Sequence, residues 1–368
     1  MKSSIQIGTI MGIPIKLHIT FLLILPVFAF YFSVNSPGFG FNDVNPLVLR
    51  YALSMSAAIL LFTCVLLHEL GHSYVAKKHG SNIQSITLFL FGGVASMEEI
   101  PRNPKIEFKM ALAGPSVSLL IGSILIMIYE IFKLDDSSLL NNPYLRLVWL
   151  IGYINIILFA FNLLPAFPMD GGRLLRAWLA GRMPYIRATR AAAGIGKMFA
   201  IFIGILGFID AMQGGGGLWL TLIAFFIYIG ASEEEKSTEI NVLLEGIKIK
   251  DIMSRDVITV TSGTSVEELV DIMFKYKHMG YPVVDDTDVI GIVTFTDVQR
   301  VPREERKNVK VSQIMTKELI SLKEDDAAVN ALKLMTVNNI GRIIIMNGKK
   351  MVGIVSRTDI LRSVQLLE

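Results

Sequence analysis

Long apolar runs separated by short polar breaks fill the first 231 residues and then cease. Crossing the hydrocarbon core of a bilayer takes about 20 apolar residues, and six runs approach that length: 17–34, 51–76, 111–133, 145–165, 192–212 and 216–231. They predict a multi-pass α-helical membrane domain of about six transmembrane helices. The last two runs are separated only by a turn at Gly214 to Gly217, and Lys197 in the fifth must reach toward headgroups. The first run starts near Leu17 behind Lys2 and Lys16, as a secretory signal does, but no small-residue cleavage site follows it. It therefore reads as a retained helix.

After Ser232 the pattern changes to a charged segment with Glu233, Glu234, Glu235 and Lys236, and then to a soluble-looking stretch holding an internal repeat. Asp251-Ile-Met253 returns as Gln313-Ile-Met315, and Gly291-Ile-Val-Thr-Phe-Thr-Asp297 returns as Gly353-Ile-Val-Ser-Arg-Thr-Asp359, both displaced by 62 positions (315 − 253; 359 − 297). Each copy has an amphipathic helical stretch (Val266 to Tyr276; Ala327 to Val337), a β-branched run (Tyr281 to Val284; Arg342 to Met346) and a last strand entering a helix. The expected domains are a membrane core at 1–231, a charged linker at 232–247, and two α/β units at 248–305 and 306–368.

Composition agrees with a membrane chain: mean hydropathy is +0.53, and only 18% of the 368 residues are charged. A net charge of +3 without a basic stripe disfavours nucleic acid as a partner. Basic residues gather in alternate loops: Lys77, Lys78, Arg102, Lys105 and Lys109 after the second run, and Arg173, Arg176, Arg182, Arg187 and Arg190 after the fourth. The intervening loops hold only Arg50, Lys133 and Arg146, so both termini are expected on the cytoplasmic side. The single cysteine, Cys64, excludes an intrachain disulfide or a cysteine-built metal site and is most simply a packing residue.

Against that background the second run contains His68-Glu-Leu-Gly-His72. Four residues on a helix turn by ~40° beyond one revolution, so both imidazoles lie on one face and can chelate a single ion. Glu69, next along the helix, can take a proton from water activated by a zinc ion without ligating it. Two hydrogen-bonded histidines would be the bland alternative, but three ionisable groups within a membrane helix are expensive and are functional by default. A hydrolytic zinc needs a third protein ligand and an open position. Glu130 and Asp210 lie at the wrong membrane face, whereas Asp170 follows the cytoplasmic end of the fourth run, where Pro165 and Pro168 break the helix and Gly171-Gly172 let the chain fold back. His79 and Glu107 are rivals, both expected in water-facing segments. The motif sits about two turns below the cytoplasmic face, so cleavage is expected near the cytosolic end of a substrate helix.

His68-Glu-Leu-Gly-His72, followed by Asn162-Leu-Leu-Pro165 and Asp170-Gly-Gly172, resembles the site-2 protease family of intramembrane zinc proteases over about residues 1–230. The resemblance implies one Zn²⁺ held by His68, His72 and Asp170, Glu69 as catalytic base, and Asn162 supporting the substrate carbonyl or oxyanion. An amide there could donate to developing charge, or simply make an interhelical hydrogen bond. The implied substrate is a single-span, membrane-anchored protein. Gly92-Gly93 matches a glycine-bearing loop that dips into the membrane as strands. Gly114-Pro115 matches a helix-start motif in which Asn commonly falls three residues after the proline; here that position is Ser118. An exposed edge over Ile86 to Phe91 is expected to pair with an unwound substrate.

The tail resembles tandem cystathionine-β-synthase (CBS) domains over about 248–368, an α/β pair. The resemblance implies an adenine nucleotide (AMP, ADP or ATP) with Thr294 and Ser356 toward phosphate and Asp297 and Asp359 on ribose hydroxyls, modulation of the protease, and a homodimer formed through the pair. The alternative for these four residues is a helix cap. A nucleotide-regulated channel or transporter is the rival reading of the whole chain. It has no use for His68, Glu69 and His72 facing Asp170, and no inverted repeat is evident.

Overall fold

A computed structural model of the chain describes residues 4–89, 92–97, 103–133, 142–286, 288–348 and 350–367. It divides into two compact units, Met1–Lys236 and Ser237–Glu368.

The first unit opens with strands β1 (Ser4–Ile10) and β2 (Ile13–His18), joined by a two-residue turn in which Met11 (φ 54°) and Gly12 (φ 75°) are both left-handed, the geometry a tight hairpin requires. Helix α1 (Ile19–Val34) follows, its first turn capped by His18 Nδ1 accepting from the Thr20 amide. Next come α2 (Leu47–Lys78), β3 (Ile83–Phe89), β4 (Gly92–Met97), α3 (Pro104–Phe132), α4 (Pro143–Asn162), α5 (Asp170–Ala180), α6 (Tyr185–Met212) and α7 (Leu218–Leu243). Both α3 and α4 begin with Pro at N1 behind an Asn cap, at Asn103 and Asn142.

Among the described residues four helices, α2, α3, α4 and α6, are long and apolar enough to cross a membrane. Two of the six expected spans differ. Strand β2 takes residues that the apolar run assigned to the first helix, leaving α1 with 16 residues. The apolar part of α7 ends near Ala231, beyond which Glu233 to Lys236 continue the helix. Helix α3 starts seven residues earlier than its apolar run, so Lys105, Glu107 and Lys109 are helical rather than loop residues. Large apolar side chains such as Met198, Phe202, Phe208 and Phe225 stand exposed on α6 and α7, a surface that hydrocarbon covers at no cost.

The four strands form one sheet in the order β1-β2-β3-β4, with β2 and β3 parallel and the other pairs antiparallel. Strand β3 therefore has neighbours on both sides, and Ile86 and Leu88 are buried. The expectation of a free edge over Ile86 to Phe91 is corrected: the edge strands of the sheet are β1 and β4, while Leu90 and Phe91, like the basic residue Arg102, lie outside the described residues.

In the second unit the 62-residue repeat is visible in the strand pairing. Strands Gly280–Asp285 and Asp288–Thr294 form one antiparallel pair, Arg342–Asn347 and Lys350–Ser356 the other, each with a bulge at the equivalent step. Each repeat also lends one residue to the other: Ser254 bridges Ile354, and Thr316 bridges Ile292. Gly291 and Gly353 make this exchange feasible, because a Cβ at either would come within 2.7–2.8 Å of the sulfur of Met315 or Met253 from the opposite repeat. The helices Val266–Tyr276 and Ala328–Val337 cover the two cores. The first helix is held by a reciprocal Ser265–Glu268 cap, in which the Ser265 amide and hydroxyl both donate to the Glu268 carboxylate and keep it below its ordinary range.

Candidate metal centre

His68 and His72 project from one face of α2 and are 4% and 8% exposed. Asp170 comes from far along the chain. After α4 ends at Asn162, Pro165 and Pro168 prevent helix continuation, and Asp170 stands in the first turn of α5, where a carboxylate suits the helix dipole. The adjoining glycines serve close approach, not unusual φ: a Cβ on Gly172 would lie 2.6 Å from the amide nitrogen of Phe167, and one on Gly171 would overlap the carbonyls of Leu163 and Leu164. The 163–169 turn can thus fold directly onto the start of α5.

The three side chains meet. Oδ2 of Asp170 is 3.2 Å from Nε2 of His68 and 3.1 Å from Nε2 of His72, and the two Nε2 atoms are 3.2 Å apart. A tetrahedral zinc with ligands at about 2.0–2.1 Å has ligand–ligand edges of roughly 3.3–3.4 Å, so the observed triangle fits such an ion closely. Among the described residues this is the one cluster of three potential metal ligands.

What lies behind the ligands supports the same donor set. Nδ1 of His68 is 2.9 Å from Oγ of Ser118, and Nδ1 of His72 is 2.7 Å from the carbonyl of Met110. With Nδ1 of each ring engaged by α3, each Nε2 is left to face Asp170, the arrangement by which outer contacts fix a metal-binding imidazole. Ser118 thus makes a polar contact at the position where the related motif commonly has Asn. The sequence marks neither Met110 nor Ser118 as a histidine partner, since a backbone carbonyl carries no residue signature.

Two glycines admit the neighbours of the motif. A Cβ on Gly71 would come 3.0 Å from the Ala113 carbonyl, so the helix-propensity cost of glycine inside α2 is offset by close approach of α3. A Cβ on Gly93 would lie 2.5 Å from Cγ of Glu69, so edge strand β4 runs directly past that carboxylate.

The rival third ligands are elsewhere. His79 caps the end of α2 with Nδ1 2.9 Å from the Val75 carbonyl. Glu107 is not water-facing as expected: it is 2% exposed and paired with Arg176, a partner 69 positions away that no local pattern reveals. Asn162 is half-buried, and its Nδ2 donates to the Leu158 carbonyl of its own helix at 3.0 Å. Its Oδ1 and second amide hydrogen remain for other partners. In the tail, Thr294 and Ser356 each donate from the backbone amide and the hydroxyl to Oδ2 of Asp297 and Asp359, at 2.9 and 2.6 Å in both copies. These four residues therefore cap the helices that follow them.

Residues 56–136 and 125–203 match the family model of Peptidase family M50, and residues 249–304 and 311–366 match the CBS domain. A zinc metalloprotease of Methanocaldococcus jannaschii is 38% identical over 368 residues, covering 100% of this chain and 98% of the relative. The chain belongs to peptidase family M50, the site-2 proteases. A solved site-2 protease from the same organism is 40% identical, covers 63% of this chain and 95% of its own, and superposes with a TM-score of 0.44. Stage IV sporulation protein FB of Bacillus subtilis is 29% identical over 151 residues, 41% of this chain and 49% of that protein. Membership among these zinc metalloproteases favours the protease reading over a channel or transporter, and this chain adds a tandem CBS pair to the protease.

Proposed function

We propose that this site-2 protease cuts peptide bonds inside or beside the membrane span of a single-span, membrane-anchored protein, using one Zn²⁺ held by His68, His72 and Asp170. The observation that carries this reading is the 3.1–3.2 Å triangle of two imidazole nitrogens and one carboxylate oxygen, each imidazole turned by a partner on α3. A zinc ion bound there supplies Lewis acidity, polarising the scissile carbonyl and lowering the pKa of water to ~7. Glu69 is the general base: it takes the proton from the attacking water and returns it to the leaving amine. Asn162 offers its remaining amide hydrogen to the substrate carbonyl. Burial of the three ligands keeps bulk water from competing with these contacts.

A substrate helix must be unwound before hydrolysis, and its freed backbone groups then need partners that lipid cannot supply. The open edge of β4, passing Glu69 at Gly93, offers them by strand addition. The six-span arrangement belongs to this proposal, with α1 and the apolar part of α7 completing the count, as do cytoplasmic termini, which the basic loops favour. The CBS pair is proposed to bind AMP, ADP or ATP at Thr294, Asp297, Ser356 and Asp359, to modulate cleavage, and to support a homodimer. A purely structural role for these four residues is the second reading, favoured by their caps.

The test is to purify wild type and Glu69→Gln in a bilayer mimic, measure zinc per chain, and offer a single-span test substrate. Equal zinc with cleavage by wild type alone is expected. Zinc-free wild type, or a fully active variant, would overturn the assignment.

A further inference from the structure

Arg176 is 1% exposed, one of the two largest fully buried side chains among the described residues. It lies on α5, six residues after Asp170. Its Nε donates to Oε1 of Glu107 at 2.7 Å, with Nη2 2.6 Å from the same oxygen, and its Nη1 donates to Oε1 of Glu234 at 2.8 Å. The guanidinium also faces the rings of Phe167 and Tyr185, at 5.0 and 5.1 Å from their centroids. Three helices are thereby tied to α5: Glu107 is on α3, Tyr185 on α6 and Glu234 on α7.

Stability alone gives a poor account of this arrangement. Taking Arg and Glu out of water costs several kcal/mol per ion, and a well-packed apolar pair often holds helices together as well or better. What the ion pair adds is direction, because a planar guanidinium bound through two nitrogens fixes both position and orientation. The direction matters at this place. Glu107 lies one turn before Met110, whose carbonyl turns His72, and two turns before Gly114, which faces both imidazoles. Linking Arg176 to Glu107 therefore sets the register of α5, and of Asp170 at its start, against the segment of α3 that orients the histidines. Functional constellations must be held to about 0.5 Å, and the buried Arg176–Glu107 pair is a polar anchor that ties this short helix, which follows a proline-broken turn, to α3.

We propose that Arg176 is a positioning residue for Asp170, setting the distance from its carboxylate to the two imidazoles by fastening α5 to Glu107 of α3. The inference rests on the zinc assignment proposed above, and its test separates the two. Full-length wild type, Arg176→Gln, Arg176→Lys and Glu107→Gln are stripped with chelator in a bilayer mimic and titrated with Co²⁺ and Zn²⁺. Circular dichroism and thermal unfolding are recorded on the same samples. Wild type is expected to give the intense visible bands of tetrahedral cobalt. Arg176→Gln should bind about 10- to 100-fold more weakly, the range seen when the support of a metal ligand is removed, with weaker, shifted bands at unchanged helical content. Arg176→Lys should fall between, since one ammonium cannot reproduce the fork. Glu107→Gln should weaken binding in the same direction, and Arg176→Gln combined with Glu107→Gln should be no worse than the worse single variant.

A folded Arg176→Gln that binds cobalt like wild type, or one that loses only thermal stability, overturns the positioning role. Should Arg176→Gln not fold, Arg176→Lys and Glu107→Gln are judged by the same criterion. Wild type that binds neither metal overturns the zinc assignment itself, and the positioning role with it.

Discussion

Gly114 of α3 faces Nε2 of both imidazoles: a Cβ built on it would overlap that atom of His72 and come 2.7 Å from that of His68. The backbone of α3 can approach the candidate site only because this residue has no side chain. Gly114→Ala should therefore lower zinc affinity at least about tenfold and abolish cleavage, since a methyl group would compete with the ligand atoms for space. Gly194→Ala, in α6 with nothing within 4 Å of the added carbon, should instead be neutral or stabilise by up to ~1 kcal/mol. Zinc content and thermal unfolding of both variants check the contrast.

The Ser118 hydroxyl stands 2.9 Å from Nδ1 of His68. Ser118→Ala should leave the ring free to turn and reduce zinc affinity about tenfold. Ser118→Asn, which introduces the residue common at this place in the related motif, should keep affinity near wild type if its amide reaches the same nitrogen. Competition with a chromogenic zinc chelator measures both.

The legibility of this chain follows from the range of each signal. The His68–His72 spacing and the apolar length of α2 are local, and both are readable directly. Asp170 is readable only as a candidate, because its approach depends on the 163–169 turn folding against two glycines at the start of α5. The early start of α3 is hidden: Glu107 looks like a loop carboxylate until Arg176, 69 residues on, neutralises it. The β1–β2 hairpin is hidden for a different reason, since its alternating apolar residues run without a break into the apolar residues of α1. The tail is the converse case. Its repeat is plain at 62 residues, while the exchange of Ser254 and Thr316 between copies depends on packing around Gly291 and Gly353.

If β4 receives substrate by strand addition, its outward amides are needed and its inward ones hold β3. Consecutive amides of a strand point to opposite sides, so proline at Val94 and at Ala95 should differ. One variant should cut slowly while keeping its zinc and thermal stability, and the other should lose stability through the β3 pairing. Equal cleavage by both variants and wild type would remove β4 from substrate binding.

Arg146 is fully buried on α4 and binds both carboxylate oxygens of Asp43, at 2.5 and 2.9 Å, strapping the loop after α1 to the helix. The hydrogen bonds from Arg146 hold the Asp43 carboxyl below its ordinary range. A depressed carboxyl contributes stability that is complete above its unfolded value and lost as pH falls through the folded one. Asp43→Asn should thus cost about 1 kcal/mol at neutral pH, solvent screening included. The difference from wild type should shrink in acid, below about pH 4. Thermal unfolding from pH 3 to 7 tests the sign.

The capping bonds of Thr294–Asp297 and Ser356–Asp359 bear on how nucleotide binding can be tested. Replacing both carboxylates, in Asp297→Ala with Asp359→Ala, removes two caps and should cost about 1 kcal/mol each without any ligand. A loss of stability is therefore no sign of a lost binding site. The ligand increment is the separable quantity: a nucleotide at 100 times its Kd stabilises the folded tail by ~2.7 kcal/mol, whatever the starting stability. Wild type is expected to gain thermal stability with AMP or ATP and to change its cleavage rate, while the double variant starts lower and gains nothing. Were both proteins to gain equally, the carboxylates would be caps alone and the nucleotide would sit elsewhere. Were neither to gain, the CBS pair would not bind adenine nucleotides, and control of the protease would have to come from another ligand.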